Sequence, residues 1–195
     1  PDPGFGTSGF TVVDTGATSE ALRDVRILPS GKIVAAGYSF LGGNYDGVLV
    51  QFTAAGALDG TFGVGGIAQT GRAGDDLFYA MDVQPDGKIV GACCAATPLW
   101  RTYAARFTAA GVLDTTFATS GEFVDTGGAM SFGYGVAVDP TTSKVIISGE
   151  AGSRFAMWRL TTAGALDTTF NGTGFLQVLT MASYGRRVVI DSSGR

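Results

Sequence analysis

Histidine is absent from all 195 residues, and only two cysteines occur, side by side as Cys93-Cys94. Without imidazole the chain has neither the commonest metal ligand nor the usual general base near neutral pH. A disulfide framework needs separated pairs, which adjacent cysteines do not supply. The two are expected as buried thiols on opposite faces of one strand, and they leave the redox compartment open. Charge is scarce too: Asp, Glu, Lys and Arg make up 15% of the chain, with a formal net charge of −4. That mild acidity gives no footprint for nucleic acid or an anionic membrane, both of which demand clustered Lys and Arg. No apolar run reaches the ~18 residues of a membrane-spanning helix. Neither an initiator Met nor a signal-peptide pattern opens the chain.

What abounds is glycine, with 31 residues, and a phrase that returns. Leu58-Asp59-Gly60-Thr61-Phe62-Gly63, Leu113-Asp114-Thr115-Thr116-Phe117 and Leu166-Asp167-Thr168-Thr169-Phe170 are clear copies, and Asp2-Pro3-Gly4-Phe5-Gly6 is a degenerate one. Their phenylalanines stand 57, 55 and 53 residues apart. A period of that size marks an array of small units, none able to bury its apolar face alone.

Two further phrases recur inside each unit. Ile27-Leu28-Pro29-Ser30-Gly31-Lys32-Ile33-Val34 returns as Val83-Gln84-Pro85-Asp86-Gly87-Lys88-Ile89-Val90 and, one residue longer, as Val138-Asp139-Pro140-Thr141-Thr142-Ser143-Lys144-Val145. Pro, then a short polar residue, then Gly between β-branched runs spells a hairpin turn. The other phrase is Phe52-Thr53-Ala54-Ala55-Gly56, Phe107-Thr108-Ala109-Ala110-Gly111 and Leu160-Thr161-Thr162-Ala163-Gly164. Each unit then holds four short strands, near 22–28, 32–39, 46–53 and 65–70 in the first, and the repeat overrules a helix-like look at Glu20–Ile27.

Repeated four-stranded antiparallel units predict an all-β fold, a β-propeller of about three and a half blades. The boundaries expected are 1–21 for the end of a preceding blade, 22–77, 78–132 and 133–184 for three blades, and 185–195 for the start of another. With one extra strand at each end the count is 14. Such an array is short of the ~4 blades that close a ring. The sequence therefore reads as part of something longer, completed by further blades of the same chain or by a second copy.

The combination Leu-Asp-x-Thr-Phe-Gly, Pro-Asp-Gly-Lys-Ile and Arg-Phe-Thr-x-x-Gly resembles the delta-60 repeat, a bacterial propeller-forming repeat of unknown function. The resemblance covers essentially the whole chain and implies a propeller in an exported or cell-surface bacterial protein. It carries over no catalytic residues. The chain departs from the pattern at Cys93, where Gly37 and Gly149 stand in parallel, and at Ala118 and Asn171, where Gly63 stands.

Two Asp-Thr-Gly triplets, Asp14-Thr15-Gly16 and Asp125-Thr126-Gly127, look like aspartic-protease loops. They fall at the same place in repeats two blades apart, too far to share a proton, and a turn-forming role is expected. Asp59, Asp114 and Asp167 recur in every copy and read as scaffolding, with Gln51, Arg106 and Arg159 as candidate partners. The loops at 42–47 and 71–76 offer oxygen ligands without a calcium-binding spacing. Asn171-Gly172-Thr173 reads as a turn. No cofactor and no metal is expected.

Alternating strand direction puts the recurrent turns on one face and the variable loops on the other. Binding residues concentrate on loops carried by a rigid scaffold. The expected contact surface is therefore Tyr45, Asp46, Asp75, Asp76, Trp100, Arg101, Tyr103, Glu150 and Arg154, with Tyr103 and Trp158 also candidates for packing between blades. The function expected is non-enzymatic recognition or structural support, binding a protein or glycan and no nucleic acid. The alternative is a lyase or hydrolase working on the ring axis, completed by blades outside this sequence.

Overall fold

The structure, a computed structural model, describes residues 1–179 and 182–191. Twelve strands form three four-stranded antiparallel sheets, each made from consecutive strands. The first sheet contains β1 (Ser19–Ile27), β2 (Ile33–Leu41), β3 (Asn44–Phe52) and β4 (Ile67–Gln69). The second contains β5 (Asp76–Val83), β6 (Ile89–Thr97), β7 (Leu99–Phe107) and β8 (Glu122–Val124). The third contains β9 (Ser131–Val138), β10 (Val145–Ala151), β11 (Arg154–Leu160) and β12 (Phe175–Gln177). These are the blades of a propeller, with β1, β5 and β9 innermost. No described helix is long and apolar enough to cross a membrane.

The cores lie between blades. One cluster joins Val34, Ala36, Leu49 and Phe62 of the first blade to Phe78, Met81, Ile89 and Phe107 of the second. Another joins Val90, Ala104 and Phe117 to Val136, Ile147, Trp158 and Leu160 of the third. Because both faces of β6 meet a neighbouring blade, it reads as a near-continuous apolar run, a pattern that β2 shares. In the first described blade the inner-strand positions that face a preceding neighbour are open: Leu22 and Val25 are 46% and 56% exposed, while their counterparts Phe78 and Met81 are fully buried.

The recurrent phrases recur because they meet. Phe62 and Phe117 are 1% and 0% exposed. Phe62 packs against the Ala109-Ala110-Gly111 turn of the following blade and Phe117 against Thr162-Ala163-Gly164, so closely that a Cβ on Gly111 would stand 3.0 Å from the Phe62 ring. The same turn accepts a backbone hydrogen bond across the joint: Gly6 N to Ala55 O at 2.8 Å, Gly63 N to Ala110 O at 2.8 Å, Ala118 N to Ala163 O at 2.6 Å. Gly111 itself has φ of +78°, a left-handed turn conformation that glycine adopts without strain. Phe170, which no blade follows among the described residues, is only half-buried.

Asp59, Asp114 and Asp167 hold the connection from inside each blade. Each accepts from the backbone N–H and hydroxyl of the Thr two residues on. Arg106 Nε lies 2.9 Å from Asp114, and Arg159 Nε lies 2.8 Å from Asp167. The first blade has Gln51 in place of the arginine, and there Lys32 of the hairpin phrase sits 2.6 Å from Asp59 instead. Lys88 and Lys144 lie 3.6 and 2.8 Å from the equivalent carboxylates. The Lys32 ammonium and the Thr61 donors together hold the Asp59 carboxyl down to about 2.

Two expectations are corrected, and the turn-forming role expected of the Asp-Thr-Gly triplets is observed. The described residues contain 12 strands rather than 14: residues 9–13 make only an isolated bridge from Thr7 to Phe10, and residues 185–191 form no strand. Both segments would pair with blade partners that the described residues do not include, and the turn expected at Ser192–Gly194 lies outside those residues. Cys93 and Cys94 are both buried, but their sulfurs converge to 3.2 Å instead of taking opposite faces. The facing strand β5 shifts register between Phe78 and Ala80, which breaks the alternation locally. Burial, with Cys94 alongside, pushes the Cys93 thiol well up. The Asp-Thr-Gly triplets form turns, with Asp14 and Asp125 each accepting from the N–H two residues on.

Replacing Asp114 with Ala strands the Arg106 guanidinium, which is 5% exposed. The expected loss is about 3 kcal/mol of unfolding free energy, the cost of breaking a buried ion pair from one side. Urea unfolding of wild type and variant measures it; equal midpoints would show that the carboxylate does not hold the blade.

Candidate functional site

The register shift of β5 has a counterpart in every inner strand. Pairing jumps from Leu22 to Asp24, from Phe78 to Ala80, and from Gly133 to Gly135. The residues skipped are Arg23, Tyr79 and Tyr134. A β-bulge leaves one residue out of the ladder and re-aims its side chain. All three stand five places before the hairpin phrase, counted from Leu28, Gln84 and Asp139. The same count back from Asp191 gives Arg186.

These four side chains form one stack across successive blades. The Arg23 guanidinium lies 5.4 Å from the Tyr79 ring centre. Tyr79 and Tyr134 are stacked with centroids 6.4 Å apart, and Arg186 lies 5.6 Å from the Tyr134 ring. Cation–π contacts of this length favour Arg over an aromatic face. The stack lines a cavity of about 160 Å³ between the inner strands, shared with Asp24, Arg26 and Arg187.

Variable-loop residues extend the stack outward. Tyr38 touches Tyr79 at 6.3 Å and Tyr45 at 5.5 Å, and Tyr45 touches Phe40 at 4.9 Å. On the other side Phe132 stacks on Tyr134 at 6.0 Å and on Trp100 at 6.4 Å. The hydroxyl of Tyr134 donates to Glu150 Oε1 at 2.9 Å, and burial together with that carboxylate pushes the phenol pKa up. Arg23 donates to the Tyr38 hydroxyl at 2.7 Å.

Tyr45, Trp100 and Glu150, all expected at a contact surface, therefore come together with the axial stack. Arg101 lies beyond it and donates to the Ala129 carbonyl. Arg154 is exposed at the third blade's tip. Asp46 and Asp75 are half-buried, and their oxygens are occupied by the loop itself: Asn44 Nδ2 donates to Asp46, and Tyr45 N to Asp75. Burial raises the Asp46 carboxyl, against the Asn44 bond, with the charge of Asp75 adding to the rise.

Two expected contact residues are corrected. Tyr103 is fully buried, its ring under Arg72 and its hydroxyl donating to Glu122 at 2.5 Å. Asp76 is fully buried as well, accepting from Gly47 N at 2.9 Å and Thr70 Oγ1 at 2.6 Å. It serves as a peg between blades: Ser131 Oγ accepts from Thr102 N, and Ser183 Oγ from Phe155 N, in the same way. Among the described residues no cluster of acidic or sulfur side chains is placed to hold a metal ion.

A family model described as "Domain of unknown function (DUF5122) beta-propeller" matches residues 28–62, 84–117 and 143–170. The chain is a β-propeller of that repeat family. The match agrees with the delta-60 resemblance in architecture, under a different family name. No curated protein matches the chain. Each matched stretch runs from the hairpin phrase to the Asp-x-Thr-Phe phrase and takes in the two middle strands of a blade with the loop between them. The DUF5122 match thus includes Tyr45, Trp100 and Glu150 but skips the inner strands, where the bulged Arg23, Tyr79 and Tyr134 lie.

The signal that would have exposed the stack was positional. Arg23, Tyr79, Tyr134 and Arg186 share one repeat position, yet neither the bulge nor the inward aim is written in local composition.

Burial, opposed by the Thr70 and Gly47 hydrogen bonds, raises Asp76 from 3.8 to about 7. A carboxyl whose folded pKa is raised stabilises the fold at pH below about 4, and that stability is lost as pH rises to about 7. The loss is at most about 4 kcal/mol. Asp76→Ser installs the peg that the next blade already uses. Urea unfolding at pH 5 and pH 8 is expected to show wild type weaker at pH 8 and the variant nearly indifferent to pH. An unchanged pH dependence in the variant would clear Asp76 of that role.

Proposed function

We propose that this propeller is a recognition module without catalytic activity, binding a protein or glycan at the loop end around its axis. Further blades of the same repeat, in the same chain or a second copy, would cover Leu22 and Val25. The observation that carries the reading is the band from Tyr45 through Tyr38, Tyr79, Tyr134 and Phe132 to Trp100, which crosses three blades. Aromatic side chains with polar handles and adjacent guanidinium groups are the residues that dominate binding surfaces. The two larger cores and the clasps lie elsewhere, and the band's Tyr38, Tyr45, Trp100 and Phe132 pack against the small cluster of Leu77, Cys93 and Cys94.

The axis offers little support for catalysis. Its nearest carboxylates, Asp24 and Asp82, accept from the backbone N–H groups of Met81 and Val138 and are held in place by them. General acid–base chemistry needs groups free to reach a substrate proton. Export or surface display belongs to this reading through the delta-60 resemblance.

A glycan array and a protein capture screen on the complete protein, followed by titration of the hits, test it. Trp100→Ala and Tyr45→Ala are each expected to weaken binding at least tenfold, about 1.4 kcal/mol, at a temperature where both variants remain folded. A ligand indifferent to both substitutions would move the site away from this end. Turnover of a bound substrate would replace recognition with catalysis.

A further inference from the structure

We propose that the axial cavity is a site for a carboxylate-bearing saccharide, an inference that rests on the recognition reading and names its ligand class. The cavity concentrates charge that the rest of the chain lacks. Four of the 13 Lys and Arg residues, Arg23, Arg26, Arg186 and Arg187, line a space of about 160 Å³ in a protein of net charge −4. Arg26 is engaged by Asp24 at 2.6 Å and stands 3.7 Å from Asp82. Arg23, Arg186 and Arg187 enter no ion pair among the described residues. A planar guanidinium presents two parallel donors that match a carboxylate, and it is always charged.

The groups between the arginines select a sugar. Tyr79 is 37% exposed and stands in a row with Tyr38 and Tyr134, centroids 6.3 and 6.4 Å apart, while Tyr184 meets Tyr134 edge-on at 6.1 Å. The exposed part of the Tyr79 ring takes the apolar side of a sugar, and its hydroxyl bonds to a sugar hydroxyl, those of Tyr38 and Tyr134 being held by Arg23 and Glu150. A repeating acidic saccharide offers both faces and carboxylates in series. An acidic peptide adding as a strand would need free backbone donors on the inner strands. Two of those donors are already taken: Met81 N bonds Asp24 at 3.0 Å, and Val138 N bonds Asp82 at 2.8 Å.

Calorimetric titration with tetragalacturonate and with its fully methyl-esterified form tests the assignment on the wild-type chain alone. The acid is expected to bind at least tenfold more tightly than the ester, and more weakly as salt is raised. Arg23→Met with Arg186→Met keeps the apolar stems and is expected to remove at least tenfold of the acid's affinity at unchanged Tm. Equal binding of acid and ester would overturn the charged site while leaving recognition intact. Polyglutamate bound in preference to the uronate would overturn the saccharide class. Inorganic sulfate binding as tightly as the uronate would reduce the site to a simple anion cradle. No binding of any probe to wild type would overturn the proposal outright. Cleavage of a bound uronate would contradict the recognition reading and leave the anionic cavity standing.

Discussion

A phenylalanine pressed beneath its neighbour's turn is the contact on which this array depends. Phe62 and Phe117 each close the Asp-x-Thr-Phe phrase of one blade and are buried by the Ala-Gly turn of the next, at Gly111 and Gly164. The backbone N–H after each of them bonds that turn, so apolar burial and a satisfied donor coincide. A blade alone would expose one broad apolar face, as the first blade does at Leu22 and Val25. Stacking is therefore what makes the blade stable, and the stability of such an array sums over neighbouring joints.

That division of labour frees the other end. The constant face holds hairpin, aspartate and turn in fixed geometry through Lys32, Arg106, Arg159 and their equivalents. At the opposite end only the pegs Asp76, Ser131 and Ser183 must be kept, and even these differ in chemistry from blade to blade. The loops there vary in length and side chain without disturbing the joint. Each bulge then turns one residue of the inner strand toward the axis, and the blades supply arginine or tyrosine in turn. Rigid support beneath a variable lining is the arrangement that binding surfaces favour.

The architecture was legible because the three phrases are contact surfaces, and contacts between repeats must be spelled alike in each. The strand that follows the Pro29 hairpin, expected at 32–39, runs over Ile33–Leu41, within two residues at either end. Arg106 and Arg159 were legible as partners of Asp114 and Asp167 for the same reason; Lys32 was not, since its charge reaches Asp59 across the blade. Tyr103 looked like a loop residue because it lies close to the Leu99 turn, yet β7 alternation turns it into the joint beside Phe78. The axial stack was hidden most deeply. A bulge is a one-residue slip in pairing, and pairing partners are far apart in sequence. Composition around Tyr79 or Tyr134 gives no hint of which way either ring points.

Phe117 and Phe170 close the same phrase with the same arginine above the ring, at 4.6 and 4.9 Å. They differ in what lies beneath: the following blade's turn covers Phe117 and nothing equivalent follows Phe170 among the described residues. Unfolding free energies of Phe117→Ala and Phe170→Ala in this 195-residue chain separate the joint from the phrase. A joint that stabilises the array predicts a loss of about 3–5 kcal/mol for Phe117 and markedly less, about 1 kcal/mol, for Phe170. Equal losses at the two positions would contradict it.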